Sequence, residues 1–152
     1  MTPRGGARES LYSDKFRRDG AELLKRLISH IRTLDYAPRI AGYHLCGGTT
    51  QEWMHHDLAG SYSPLAAEKF RLWAKEKYGI SDITLPPRSE LLENRSTEGR
   101  LYSEFSDEKV SETVNYFART VKELTDGEQI VGVFYGYNAF VNEPFYGLHG
   151  LH

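Results

Sequence analysis

The sequence predicts an α/β fold with parallel strands, and three observations support this prediction. Two apolar runs, at about residues 39–45 and 129–135, are typical of short strands, and a long amphipathic segment precedes each of them. The second run lacks alternation, which is typical of a strand covered on both faces. The first run is followed by Gly47 and Gly48 rather than by a hairpin turn, so the connection is expected to be a helical crossover, which joins parallel strands.

The size of the chain limits how much of such a fold it can form. Two strands close neither an α/β barrel nor a doubly wound sheet, the two architectures that a repeated helix-then-strand unit suggests. A complete barrel needs about 250 residues, whereas the chain has 152. We therefore expect residues 1–152 to form a single partial unit of a larger α/β domain.

Amphipathic patterns predict the first two helices, at about residues 14–33 and 64–78. In the first helix, apolar residues recur at three- and four-residue steps and are expected to share one face: Phe16, Leu23, Leu24, Leu27, Ile28 and Ile31. The second helix has clear boundaries. Ser63 is a good N-cap, Pro64 suits the first helical position, and Gly79 supplies the C-terminal stop.

A third helix is predicted at about residues 107–125, after a segment without a clean period. Its buried stripe runs from Val110 to Leu124, and Ser106 or Asp107 is expected to cap it. The segment from 80 to 105 contains two adjacent prolines and several turn-forming residues, so we expect a long irregular excursion there.

Composition argues against several classes of partner. The formal net charge of -2 provides no basic surface for nucleic acid. No apolar run approaches the roughly 20 residues of a membrane span, so no membrane association is expected. The N-terminal residues lack the apolar core of a signal peptide, which favours a cytoplasmic location. Cys46 is the single cysteine, which excludes an intrachain disulfide.

No cofactor or metal is expected from the motifs. The chain contains neither a phosphate-binding P-loop pattern nor the glycine pattern of dinucleotide-binding folds. His55, His56 and Asp57 form a histidine-rich group, but their spacing matches no familiar zinc helix.

Ionisable and polar residues cluster directly after the first predicted strand, around Glu52. Because α/β proteins place their sites at the carboxyl ends of parallel strands, Glu52 is the first catalytic candidate. It can serve as a general acid if burial raises its pKa towards neutrality. Trp53 would supply an apolar wall beside Glu52, and Gln51 would orient the carboxylate oxygens of Glu52. A solvated glutamate in a polar loop is the alternative.

Further candidates for substrate binding lie on the strands themselves. His44 is either a structural histidine or a hydrogen-bonding partner for a sugar hydroxyl. Tyr135 and Tyr137 share side-chain parity at the end of the second strand. They either stack under a pyranose ring or hydrogen-bond a carboxylate, or they pack in the core or at the rim of the fold. Cys46 shares parity with His44, but a small buried thiol is favoured over a nucleophile.

Four segments of the chain resemble a known enzyme family. They are IAGYHLCGGTTQEW at 40–53, SYSP at 61–64, FRLWAKEKYG at 70–79 and VGVFYGY at 131–137. Together with the order of elements, these segments resemble the β-galactosidase-like barrels of glycoside hydrolase family 42, which belong to the clan of retaining (β/α)8 glycosidases. The resemblance covers about residues 10–137.

The resemblance implies a segment of a (β/α)8 TIM barrel, with residues 39–45 as barrel strand four and 129–135 as strand five. It also implies a carbohydrate substrate and Glu52 as the acid/base. The family has an Asn-Glu pair after strand four. In this chain Gln51 replaces the asparagine that contacts the sugar 2-hydroxyl, and residues 47–50 are extra, which indicates a divergent branch.

In the family the nucleophilic glutamate follows strand seven. We therefore expect this chain to lack the nucleophile and to require the remainder of the barrel or another protomer. Two other interpretations remain open. One is a non-catalytic carbohydrate-binding module derived from a barrel. The other is a self-standing small α/β protein that covers its sheet edges by oligomerisation.

The isolated chain is expected to hydrolyse aryl β-galactosides and β-glucosides negligibly. Retaining hydrolysis needs a second carboxylate about 5–5.5 Å from the acid/base, and the resemblance assigns that group to a later strand. Release of 4-nitrophenol checks this expectation. Turnover that is abolished by Glu52→Gln would contradict it.

Overall fold

The computed structural model describes residues 10–47, 53, 62–87, 90 and 96–134. In these residues the fold is mixed α/β, with three α-helices and one two-stranded parallel sheet. The elements are α1 (Asp14–Ile31), β1 (Gly42–Leu45), α2 (Pro64–Tyr78), α3 (Thr97–Leu124) and β2 (Ile130–Val133). The predicted α/β class and the parallel pairing of the two strands are confirmed.

Both strands are shorter than predicted, and their pairing depends on a glycine. Residues Ala37–Arg39 form a 3-10 turn instead of the start of β1, and the Ile40 N–H closes that turn on the Ala37 carbonyl at 3.1 Å. In the ladder, Gly42 pairs with Ile130 and Leu45 with Val133. A Cβ at Gly42 would lie 2.2 Å from the Ile130 carbonyl oxygen, so only glycine permits this close approach.

Helix α1 begins as predicted, but its exposed side was predicted wrongly. The Ser13 side chain caps the helix by accepting a hydrogen bond from the Phe16 N–H. Leu23 and Leu27, assigned to the buried face, are 68% and 47% exposed. The contact with α3 is centred on the side of α1 that carries Ile28, which is buried, so those two leucines fall beyond its edge.

Helix α2 confirms the predicted bounds and both caps. The Ser63 side chain accepts a hydrogen bond from the Ala66 N–H, and Gly79 ends the helix in the left-handed conformation at φ 71°. Its buried face carries Ala66, Phe70, Trp73 and Ala74. These short-range signals suffice because caps are set by residues within one turn of the helix end.

Helix α3 begins ten residues earlier than predicted. Ser96 caps it by accepting a hydrogen bond from the Gly99 N–H, whereas the predicted caps Ser106 and Asp107 are buried inside the helix. The expected irregular excursion was therefore wrong for residues 97–105. Tyr102 and Phe105 lie in this early part and are fully buried against α2, so tertiary packing supports a helical stretch whose period is weak in sequence.

Two apolar clusters hold these elements together along α3. The first joins α2 to the N-terminal half of α3 and contains Tyr12, Phe70, Trp73, Tyr102 and Phe105. The second joins α1, the C-terminal half of α3 and the sheet, and its buried members are Ile28, Leu45, Trp53, Val110, Phe117 and Val121. The strand residues that pack against the second cluster alternate in sequence, so α1 and α3 cover one face of the sheet.

The other face of the sheet is open in the described residues. Ile130 is 69% and Phe134 51% exposed, and the His44 side chain is exposed beside them. The expectation that the second strand is covered on both faces was therefore wrong for this part of the chain. None of the described helices combines the length and the apolar character that crossing a bilayer requires.

A polar network fixes α2 against α3 at the surface. The Trp73 Nε1 donates to the Glu108 carboxylate at 2.6 Å, and the Tyr78 hydroxyl donates to Glu104 at 2.8 Å. Lys77 forms ion pairs with both carboxylates. The hydrogen bond to Glu104 raises the pKa of the Tyr78 phenol. Hydrogen bonds to Glu108 and, to a smaller extent, to Glu104 raise the pKa of the Lys77 ammonium.

Substitution Gly20→Ala is expected to destabilise the protein, although alanine normally favours a helix. A Cβ at this position would lie 2.6 Å from the buried Phe117 ring, and overpacking outweighs the gain in helix propensity, for a net loss of roughly 1–2 kcal/mol. Urea denaturation followed by circular dichroism measures the change. In a Phe117→Leu background the same substitution should cost nothing. An equal cost in both backgrounds would show that the ring does not select the glycine.

Candidate functional site

The carboxyl ends of the two strands are joined by Trp53. Its indole Nε1 donates to the Leu45 carbonyl at the end of β1 at 2.9 Å. Its backbone N–H donates to the Phe134 carbonyl, directly after β2, at 3.0 Å. The chain that leaves β1 therefore returns to the same end of the sheet within eight residues. In α/β proteins this end is where ligands bind.

The Trp53 ring lies in the core rather than in the open. It is 5% exposed and contacts the Phe117 ring at a centroid distance of 5.8 Å. Gly47 makes this position possible, because a Cβ there would lie 2.6 Å from the indole. The observed burial gives Trp53 an anchoring role at the strand ends.

His44 lies on the open face of the sheet, near its carboxyl end. Its side chain is exposed, and its ring contacts the Phe134 ring at 4.4 Å between centroids with a tilt of 54°. In the register His44 pairs with Gly132, where a Cβ would be 3.4 Å from the imidazole Cδ2. The imidazole thus projects over the sheet, and among the described residues the Phe134 ring is its aromatic neighbour.

Cys46 is exposed, so the expectation of a small buried thiol was wrong. Strand parity explains the difference, because residues 44 and 46 point away from the helices while Leu45 between them is buried. The Cys46 Sγ lies 3.6 Å from the His44 Nδ1, within hydrogen-bonding distance for sulfur. This contact restrains the imidazole at its Nδ1 edge.

The other predicted site residues lie outside the described parts of the chain. Glu52, Gln51, Tyr135 and Tyr137 belong to this group, and so do the histidines at 55 and 56. Their roles stay predictions. Trp53 directly follows Glu52 in sequence, which makes the anchoring of Trp53 the structural observation most relevant to Glu52.

The described residues do not bring a set of three metal ligands together. Within residues 10–47, 53, 62–87, 90 and 96–134, no three side chains of His, Cys, Asp or Glu come together as a metal ligand set. His44 and Cys46 contribute two such groups to the open face of the sheet.

Phe134 is a site residue that the sequence reasoning missed. The sequence predicted binding roles for Tyr135 and Tyr137, which follow Phe134. In the structure Phe134 has the parity of Gly132 and therefore faces the same side of the sheet as His44. The parallel register supplies this information, and the sequence alone does not fix that register. Phe134 contacts His44 through its ring and Trp53 through its carbonyl.

Comparison with known proteins adds no relative. No protein-family model, no curated protein and no solved structure matches the chain.

Substitution Trp53→Phe is expected to destabilise the protein by about 1–3 kcal/mol, because it removes the buried donor to Leu45 and leaves a cavity. Chemical denaturation of both proteins measures the difference. Tyr36→Phe is the control, since Tyr36 is 50% exposed and a surface substitution changes stability by roughly 0.5 kcal/mol or less. Equal stability of Trp53→Phe and the native chain would contradict the anchoring role.

Proposed function

We propose that the chain is a segment of a β-galactosidase-like (β/α)8 glycoside hydrolase and that Glu52 is its acid/base. The observation that carries the proposal is the anchoring of Trp53, the next residue in sequence, to the carboxyl ends of both strands. Barrel enzymes take their catalytic residues from this end of the sheet. The sequence resemblance independently assigns the acid/base to Glu52.

The described cover of the sheet agrees with the proposed barrel. In a barrel, helices form an outer ring and the inner face carries other side chains. Among the described helices, α3 packs on one face of the sheet, and α1 packs on α3. The opposite face carries His44 and Phe134, which would then point into the barrel.

The proposed chemistry is hydrolysis of an O-glycosidic bond with retention. Glu52 protonates the departing oxygen while a second carboxylate, supplied by another part of the barrel, attacks the anomeric carbon. Glu52 then takes a proton from the water that hydrolyses the glycosyl intermediate. Gln51 and His44 would hydrogen-bond sugar hydroxyls, and Tyr135 and Tyr137 would close the site.

A non-catalytic carbohydrate-binding module is the second candidate. The exposed ring pair of His44 and Phe134 favours it, because an aromatic surface with a polar edge can bind a sugar without any acid/base. The two candidates differ in what they require of Glu52. A glycosidase needs it protonated against the glycosidic oxygen, and a binding module does not.

The pH dependence of sugar binding tests the role of Glu52. If a protonated Glu52 donates to the glycosidic oxygen, the affinity for methyl β-D-galactopyranoside should fall between about pH 5 and pH 8. In Glu52→Gln the amide still donates, so the affinity should vary less with pH. Nuclear magnetic resonance titration measures both. Glu22→Gln, on the exposed side of α1, is the matched control and should behave as the native chain.

Each result of this titration separates the candidates. Binding that loses its pH dependence only in Glu52→Gln supports the acid/base role. Binding with the same pH dependence in all three proteins refutes that role and favours the binding module. Absence of binding to both β-galactoside and β-glucoside in the native chain refutes both candidates.

A further inference from the structure

We infer that Phe134 is the residue on which the sugar ring stacks, with His44 as the hydrogen-bonding group at its edge. This inference rests on the proposed function and adds a positioning residue that neither the sequence reasoning nor the resemblance assigned. Its support is that one residue contacts both of the described candidate residues, Trp53 and His44.

The backbone of Phe134 connects it to the candidate acid. Its carbonyl accepts the Trp53 N–H at 3.0 Å, so Phe134 is one hydrogen bond and one peptide unit away from Glu52. In the proposed function, a single pyranose ring would contact the Phe134 ring, and Glu52 would act on the glycosidic oxygen of the same sugar.

The ring of Phe134 is accessible on the open face of the sheet. Half of the residue is exposed, at 51%, although it follows a strand whose other face is packed on helices. The 54° tilt to the imidazole means that His44 does not cover the ring by flat stacking. Part of the phenyl face is therefore available to the apolar C–H face of a sugar.

The two rings differ in chemistry in the way a sugar requires. Sugar sites combine an aromatic surface with a few oriented polar groups that fix the hydroxyls. The phenyl ring supplies the apolar surface. The Cys46 thiol lies 3.6 Å from the Nδ1 of His44, which leaves Nε2 for the ligand as one donor or one acceptor, depending on the tautomer.

Uncharged surroundings fit a neutral ligand. The described side chains that share this face are Ile130, His44, Cys46 and Phe134, and none of them is an acid, a lysine or an arginine. A phosphorylated or carboxylated ligand would need a cationic partner, which these residues do not provide. A neutral ligand matches these side chains, and the β-linked hexopyranoside of the proposed function is of that class.

The experiment is a titration of the isotope-labelled chain with methyl β-D-galactopyranoside and methyl β-D-glucopyranoside. Three variants are compared with the native chain: Phe134→Tyr, which keeps the ring; Phe134→Leu, which keeps apolar bulk without it; and Phe134→Ala. Leu72→Ala is the control, because Leu72 is equally exposed, at 51%, but lies on α2.

The expected result depends on the ring and not on bulk. Phe134→Leu and Phe134→Ala should raise the dissociation constant roughly three- to tenfold, which corresponds to the loss of one aromatic contact. Phe134→Tyr and Leu72→Ala should bind like the native chain. The Trp53 indole N–H signal reports the scaffold, and it should be unchanged because this group donates to the Leu45 carbonyl and not to Phe134.

Two contrary results have different meanings. If the native chain binds a glycoside and Phe134→Leu binds it equally well, the stacking role is refuted while the proposed function stands. If the native chain binds neither glycoside, the proposed function is refuted and the stacking role with it. A Phe134→Ala protein with a shifted Trp53 indole signal is judged by Phe134→Leu instead.

Discussion

The two hydrogen bonds of Trp53 are the constraint on which the functional interpretation depends. The indole is buried, so loss of its bond to the Leu45 carbonyl would leave a polar group unsatisfied at a cost of about 1–3 kcal/mol. The backbone bond to Phe134 joins the same residue to the second strand. Trp53 therefore cannot leave the strand ends without breaking core packing.

Close packing between α1 and α3 makes this arrangement possible. Gly20 lets the Phe117 ring approach the backbone of α1, and that ring in turn contacts the Trp53 indole. Gly47 accepts the indole from the strand side, and Gly42 brings the two strands together. Three glycines thus determine how closely helix, indole and strand pack. None of them is required by a positive φ, so their role is steric.

The sequence predicted local features well and tertiary features less well. The bounds of α2 were correct because Ser63, Pro64 and Gly79 act within single turns of that helix. The start of α3 was missed because the residues that extend it, Tyr102 and Phe105, are stabilised by contacts with α2 that no local pattern records. Strand parity could have predicted the exposure of Cys46, because residue 46 has the parity of His44. The residue type of cysteine favours burial instead.

The candidate site shows the same division. The position of Trp53 beside the strand ends agrees with the predicted cluster after β1. Its burial depends on contacts with Gly47 and Phe117. Phe117 is distant in sequence, and the residue type of Gly47 does not by itself predict such a contact. Phe134 was missed because its contact with His44 requires the register of two strands that are separated in sequence by residues 46–129, with α2 and α3 between them. Glu52 lies outside the described residues, and Trp53, its neighbour in sequence, is anchored to the strand ends.

The composition of the open sheet face favours a function over simple exposure. Parallel sheets are normally covered on both faces, and a face adapted to water would carry charged side chains. The described residues on this face are instead Ile130, Gly132, Phe134, His44 and Cys46. The apolar Ile130 lies at the start of β2, and the ring pair lies at its end. In the proposed barrel, further strands would cover the region around Ile130. The carboxyl end of the sheet, where Trp53 joins the two strands, would remain open to a neutral ligand.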